Sequence, residues 1–177
     1  MKRWLSKSPS LKPLSLTVTS ARLLVTTIHF QLIQFDAVGD ELRRIQLPND
    51  MRPWHAVESP TGTFIVSRCN SQVDPSDVIE VNNGGEVLRQ FSGSHLPSLG
   101  LTSHVAVDSH GNILVADQYN HRILLLDAHL KLLRVVVDQH QLNYKQPWRL
   151  CYIEQSGQLL VGFYEGGVVK VFDVLCR

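Results

Sequence analysis

Cysteine is scarce in this chain. Cys69, Cys151 and Cys176 are the three that occur, and no two are spaced as C-x-x-C. An odd, scattered set excludes a disulfide framework and a structural zinc site. It points to reduced thiols in a cytoplasmic setting. Long hydrophobic runs are also missing. The greasiest stretch, ILLLDAHLKLLRVVV (123–137), is interrupted by Asp127, His129, Lys131 and Arg134. No segment has the length and purity of a membrane span. The N-terminal MKRWLSKSPSLKP is basic but has no apolar core, so it reads as a solvated tail over 1–13 rather than a secretory signal. Excess charge of one sign is lacking as well. Net formal charge is +1. Lys2, Arg3, Lys7 and Lys12 fall in the first 13 residues, leaving 13 basic against 16 acidic residues, a net of −3, in the rest. A body of that charge is a poor general attractor for phosphate backbones.

What is present is a hydrophobic content of 44% in 177 residues, enough for one domain with a real core. It is arranged as a repeat. A turn followed by a strand recurs in SPTGTFIVS, SHGNILVAD and QSGQLLVGF, whose Gly62, Gly111 and Gly157 are 49 and 46 residues apart. TSARLLVTT aligns with Ala21 at that position. A second marker is the polar residue ending the next strand: Asp36, Asn82, Asp127 and Asp173, at spacings of 46, 45 and 46. Short strands between Gly, Asp, Asn, Ser and Pro make each unit four-stranded. The third unit reads HVAVD (104–108), NILVAD (112–117), RILLLD (122–127) and KLLRVVV (131–137). The leucines of 123–137 could also line a buried helix. The β-branched Val135-Val136-Val137 and the repeat register favour strands. The innermost strand of the first unit is either absent or supplied by SLTV, and the last unit stops without a fourth strand.

Four-stranded units of this period are propeller blades. The expected fold is all-β: a partial β-propeller over 14–177 with about four blades, at about 14–47, 48–91, 92–137 and 138–177.

Residues 103–127, which include VAVDSHGNILVADQYNHRILLLD (105–127), resemble an NHL repeat, with Asn120-His121 followed by Arg122-Ile123 where that motif belongs. Neither the dipeptides of WD repeats nor the glycine pairs of kelch repeats recur in register. With the ending GGVVKVFDVLCR, the chain resembles the C-terminal propeller of tripartite-motif proteins. That resemblance implies a six-bladed ring in the full family, an N-terminal RING, B-box and coiled coil elsewhere, and a propeller that selects a ubiquitination substrate or binds RNA stem-loops. An array of four blades leaves strand edges unpaired. The chain is therefore expected to be a fragment, ahead of a partial gene model or a degenerate propeller. Its three cysteines cannot build a RING, so no ligase activity is expected of this chain.

The candidate chemistry concentrates in the same stretch. His104, Asp108, His110, Asp117, His121, Arg122 and Asp127 could suggest a metal or acid–base site. Ligands must converge, however, and the register puts His110 and His121 at opposite ends of a blade. The favoured reading is a structural signature of Gly111, Asp117, Asn120, His121, Arg122 and Asp127. Asp117 accepts from turn amides or pairs with Arg122, and Asn120 takes a positive-φ position. A lyase or hydrolase reading would instead use the innermost strands: His55 with Glu58, His104 with Asp108, and Arg149 with Glu154. Arg149 repels a cation there. No metal and no cofactor are expected.

The binding reading rests on the loops joining strands b to c and d to the next a, which share one face. They offer Arg52, Arg68, Tyr119, Arg122, Tyr144, Lys145, Phe163 and Tyr164. Aromatics and Arg are enriched at interface hot spots. Trp54 and Trp148 follow Pro at the same blade position and are expected to wedge adjacent blades. A protein partner or ubiquitination substrate is expected. RNA is the alternative, because the same cations and tyrosines could hold phosphates and stack bases. No membrane and no small-molecule substrate are expected.

Overall fold

The computed structural model describes residues 11–19, 22–68, 76–92 and 99–174, with the side chain of Ser103 also outside the description. Blade A comprises β1 (Pro13–Thr19), β2 (Arg22–Thr27), β3 (Gln31–Phe35) and β4 (Glu41–Gln46). Blade B comprises β5 (Pro53–Glu58), β6 (Phe64–Arg68), β7 (Asp77–Val81) and β8 (Val87–Phe91). Blade C comprises β9 (Thr102–Val107), β10 (Ile113–Asp117), β11 (Arg122–Leu126) and β12 (Leu132–Val137). Blade D has β13 (Pro147–Ile153), β14 (Gln158–Phe163) and β15 (Val169–Asp173). Each is an antiparallel sheet in sequence order, with four, four, four and three strands. The innermost strands touch in the order β1, β5, β9, β13. This is the four-blade all-β propeller expected, with strands rather than a helix over 123–137. SLTV does supply the innermost strand of blade A. β1 starts at Pro13, and the Lys12 carbonyl accepts from Ile28 N at 3.1 Å, so the fold begins inside the stretch read as tail.

The central strands of blades B and C are apolar on both faces because both faces are covered. In β10, Ile113 and Val115 pack towards blade B while Leu114 and Ala116 pack towards blade D. In β11, Leu124 and Leu126 face blade B, and Ile123 and Leu125 face blade D. The run ILLL is thus shared between two seams, which is why it mimics a helix pattern. A third seam joins Leu24, Leu32 and Ile45 of blade A to Ala56, Phe64, Val66 and Ile79 of blade B.

The second marker has a local cause. Asp36, Asn82 and Asp127 each fold a side-chain oxygen over the turn that follows. Asp36 Oδ1 accepts from Val38, Gly39 and Asp40 amides at 2.8–2.9 Å. Asn82 Oδ1 accepts from Gly84 and Glu86, and Asp127 Oδ1 from His129 and Lys131, at 2.8–3.0 Å. Such side-chain caps mimic a backbone turn. The residue three positions later then takes positive φ: Gly39 at 95°, Gly85 at 83° and Leu130 at 61°. Leu130 adopts that conformation without being glycine, and its side chain is buried in the seam between blades B and C.

Gly85 carries a second constraint. A Cβ there would lie 2.3 Å from the Gln46 carbonyl oxygen of blade A. Gly62 has a similar φ of 80° with nothing within 4 Å of its would-be Cβ. Gly62→Ala is expected to cost about 1 kcal/mol from backbone strain alone. Gly85→Ala should cost about 2 kcal/mol, because blade A must also move. Urea denaturation of the two variants reads the difference, and equal losses would mean the seam yields freely at this point.

Candidate functional site

The innermost strands first. His55 and His104 stack with ring centroids 3.6 Å apart and planes 24° from parallel. Both start from equivalent positions, since His55 pairs with Ser67 and His104 with Ala116 across their own blades. Each ring reaches the next blade. Val105 N donates to His55 Nδ1, and Leu150 N donates to His104 Nδ1, both at 3.4 Å. Thr17 Oγ1 donates to the Ala56 carbonyl at 2.8 Å and lies 2.9 Å from His55 Nε2. With its proton committed to Ala56, Thr17 accepts from His55, so Nε2 carries the hydrogen and Nδ1 is the acceptor. His55 is therefore neutral. Burial, then the neighbouring His104 and Arg149, push its pKa down to about 2. Burial and Arg149 push that of His104 down to about 3. The rings act as ties between successive blades.

The carboxylates grouped with them by sequence lie elsewhere. Asp108 falls beyond the end of β9 and caps the following turn, accepting from His110 N and Asn112 N at 2.9 and 2.8 Å. Glu58 bridges to blade A, accepting from Gln34 Nε2 at 2.8 Å and pairing with Arg22 at 3.3 Å. Glu154 accepts from Ser109, whose hydrogen bonds hold its carboxyl below the ordinary range. His110 joins that group at 3.6 Å, at the blade end opposite His121. Among the described residues no three His, Cys, Asp or Glu side chains converge on a metal-sized point.

Asp117 is the hub of the b–c turn in blade C. It is fully buried and accepts from Arg122 Nε at 2.6 Å, from Asn120 Nδ2 at 2.9–3.0 Å and from Gly100 N at 2.9 Å. The positive-φ position is held by His121, at 50°, and not by Asn120, whose side chain instead turns back to Asp117. The residue that takes this conformation differs between blades: Phe30 in blade A and Gly167 in blade D, both with φ 59°. Blade B carries the same fastening with its signs exchanged, Arg68 at the end of β6 against Asp77 at the start of β7. Arg68 and Arg122, both offered by sequence as ligand contacts, are thus nearly buried in ion pairs within their own hairpins.

The other candidates, from the b–c and d–a loops and the strand ends beside them, form two groups. Trp54 of blade B and Trp148 of blade D meet edge to face, with centroids 6.3 Å apart. They touch each other from non-consecutive blades. Tyr164 tilts onto Trp148 at 5.0 Å, and the Arg149 guanidinium lies 4.7 Å over the same indole. In the second group, Tyr144 donates to or accepts from His140 Nδ1 at 3.1 Å, and its ring edges His121 at 6.5 Å. Phe163 is buried below them, with Lys145 Nζ 5.8 Å from its ring centre. Tyr119, Tyr144 and Tyr164 are 57–61% exposed. Among the described residues Arg52 and Lys145 make no ion pair, in contrast to Arg22, Arg44, Arg68, Arg89 and Arg122. Residues 69–75 and 93–98 of two of these loops, and Cys69 and Cys176, lie outside the described residues.

The clustering of Arg149 with Trp148, and the contact between the two tryptophans, escaped sequence reasoning. The shared Pro-Trp position was the available signal.

Comparison with known proteins agrees with this architecture. A family model described as the NHL repeat matches residues 103–124. No curated protein matches the chain. Among solved structures, a virginiamycin B lyase from Staphylococcus aureus aligns with TM-score 0.60 at 13% identity, over 95% of this chain and 57% of that one. A streptogramin B lyase aligns with TM-score 0.63 at 11% identity, over 98% and 58%. A protein of unknown function from Bacteroides caccae aligns with TM-score 0.58 at 20% identity, over 94% and 62%. The chain spans about three-fifths of the length of these structures, and identities this low carry the fold alone. The chain is a β-propeller of four blades, and its third blade carries an NHL repeat.

Proposed function

We propose that this propeller is a non-catalytic recognition module that captures a protein partner on its b–c and d–a loop face. The observation that carries the reading is the cluster of exposed Trp54 and Tyr164 around half-buried Trp148, with Arg149 laid on it. Trp, Tyr and Arg are the residue types that dominate binding energy when they gather on one surface. The finer proposal follows the resemblance to tripartite-motif proteins: a cytoplasmic ubiquitin ligase in which this domain selects the substrate and a RING outside this sequence transfers ubiquitin. RNA is the second reading, supported by Arg52 and Lys145, which make no ion pair among the described residues, on the face that carries the exposed tyrosines. The rings of the cluster meet at 70° and 57°, so they pack on one another rather than offering the parallel faces that stacked bases use.

The test is capture from nuclease-treated extract with wild type and a Trp54→Ala, Tyr164→Ala variant. Captured protein should fall at least tenfold in the variant while the melting temperature holds, the size expected for hot-spot residues. Capture that disappears with nuclease, with crosslinking that weakens steeply as salt rises, would instead establish RNA as the ligand. Undiminished capture by the variant would remove this face from the account.

A further inference from the structure

A pocket of about 380 Å³ opens between blades C and D on the loop face, lined by His121, Tyr144, Lys145, Gln146, Glu165 and Gly166. Its walls come from three separate loops. They hold an unusual concentration of left-handed backbone: His121, Asn143, Tyr144, Gly166 and Gly167 all have positive φ. Strain of this kind persists only where the surroundings enforce it, and it gathers at ligand sites.

Two donors of the pocket, on Lys145 and Gln146, are left for a ligand. The Lys145 ammonium makes no ion pair among the described residues, with Glu165 or any other acid, and lies beside Gly166, 3.7 Å from that residue's would-be Cβ. Gln146 Oε1 accepts from the buried Gln118 Nε2 at 2.9 Å, which leaves the Gln146 amide nitrogen to donate. His121 Nδ1 is buried with no hydrogen-bond partner. A buried polar atom without a partner is costly, and a ligand that supplies one recovers that cost. One lysine and neutral donors suit a single negative charge. The Glu165 carboxylate on the same wall disfavours a dianion, and the lining has no arginine fork of the sort that phosphate sites use.

Resting on the recognition reading above, we propose that this pocket holds a carboxylate presented by the protein partner, hydrogen-bonded by Lys145 and Gln146. An acidic side chain and a free chain terminus share this chemistry.

The experiment is an NMR titration of the full chain with four probes: N-acetyl-glutamate methylamide, N-acetyl-glycyl-phenylalanine with a free carboxylate, N-acetyl-glutamine methylamide and inorganic phosphate. At least one carboxylate probe should shift the amide resonances of Lys145 and Gly166 and saturate at millimolar concentration. The glutamine probe should not. Lys145→Met should weaken the carboxylate at least fivefold with an unchanged melting temperature. Whichever carboxylate probe binds identifies the source. The proposal is overturned if no carboxylate probe shifts these resonances, if the glutamine probe or phosphate binds as well, or if Lys145→Met leaves binding unchanged. Capture that still depends on Trp54 and Tyr164 would then leave the recognition reading standing without this pocket. Capture insensitive to those two residues defeats the recognition reading whatever the titration gives.

Discussion

Asp117→Ala is expected to destabilise the protein by about 3–5 kcal/mol, the cost of breaking a buried ion pair from one side. Asp117 is fully buried and Arg122 has 12% of its side chain exposed, so the guanidinium left behind has little water to turn to. The amide of Gly100 loses its acceptor in the same change. That amide belongs to the d–a loop entering blade C, so the loss propagates from a hairpin to the connection between blades. Domains have net stabilities of about 5–15 kcal/mol, so the variant should lose roughly 6–20 °C in melting temperature or fail to fold. Asp117→Asn keeps an oxygen for Gly100 and removes only the charge, so it should cost less. Thermal melts of both variants decide it. A loss below about 1 kcal/mol for the alanine variant would show that Asp117 is not the fastening described here.

The second large effect is one of pH. Stability should fall by about 2.5 kcal/mol between pH 7 and pH 5.5 through His55 and His104 alone. The sign follows from the direction of the shifts. Both histidines have folded pKa values depressed to about 2 and 3 from an ordinary 6.5, because both are buried as neutral rings. The folded state binds no proton at either ring in this window, whereas the unfolded chain takes up most of one at each. The stability is complete above the unfolded pKa near 6.5. It is lost progressively as pH falls from there towards the folded values. Each ring contributes about 1.2 kcal/mol over this interval, a figure insensitive to how far below 5.5 the folded pKa lies. His55→Asn with His104→Asn keeps an acceptor near each Nδ1 and cannot titrate. Denaturant titrations at the two pH values should show a markedly flatter dependence in that double variant. A wild-type stability that does not move with pH, or a slope that survives the substitutions, would contradict the account.

The two sites differ in how far the sequence announced them. Asp117 and Arg122 are cross-strand partners in one hairpin, five residues apart, so their pairing could be read from spacing. The exchanged pair Arg68 and Asp77 is also one hairpin, and the same reasoning applied there would have withdrawn Arg68 from the binding face. The stacking of His55 on His104 joins residues 49 apart, and the contact of Trp54 with Trp148 joins residues 94 apart. Spacing suggested that the histidines occupy matching strand starts. It could not say that the rings would lie flat on one another with their nitrogens given to the next blade, because that depends on the distance and rotation between sheets. Asn120 and His121 show the limit at short range. Either residue can carry a positive φ, and the turn's hydrogen bonds, with Asn120 drawn back to Asp117, selected His121.

The sequence by itself determined the blades: their number, their order, the strands within them and the capped turns that punctuate them. Those features are set within a few residues, by side chains such as Asp36, Asn82 and Asp127 that bond the turn amides immediately after them, and by apolar runs such as ILLL that fit only a sheet covered on both faces. Tertiary structure alone decided which side chains are spent holding blades together and which stay on the surface. Arg68, Arg122 and Phe163 went inward, and Trp54, Trp148, Arg149, Tyr144, Lys145 and Tyr164 stayed wholly or partly at the surface, because that sorting depends on the packing of sheets whose contacting residues are tens of positions apart in the chain.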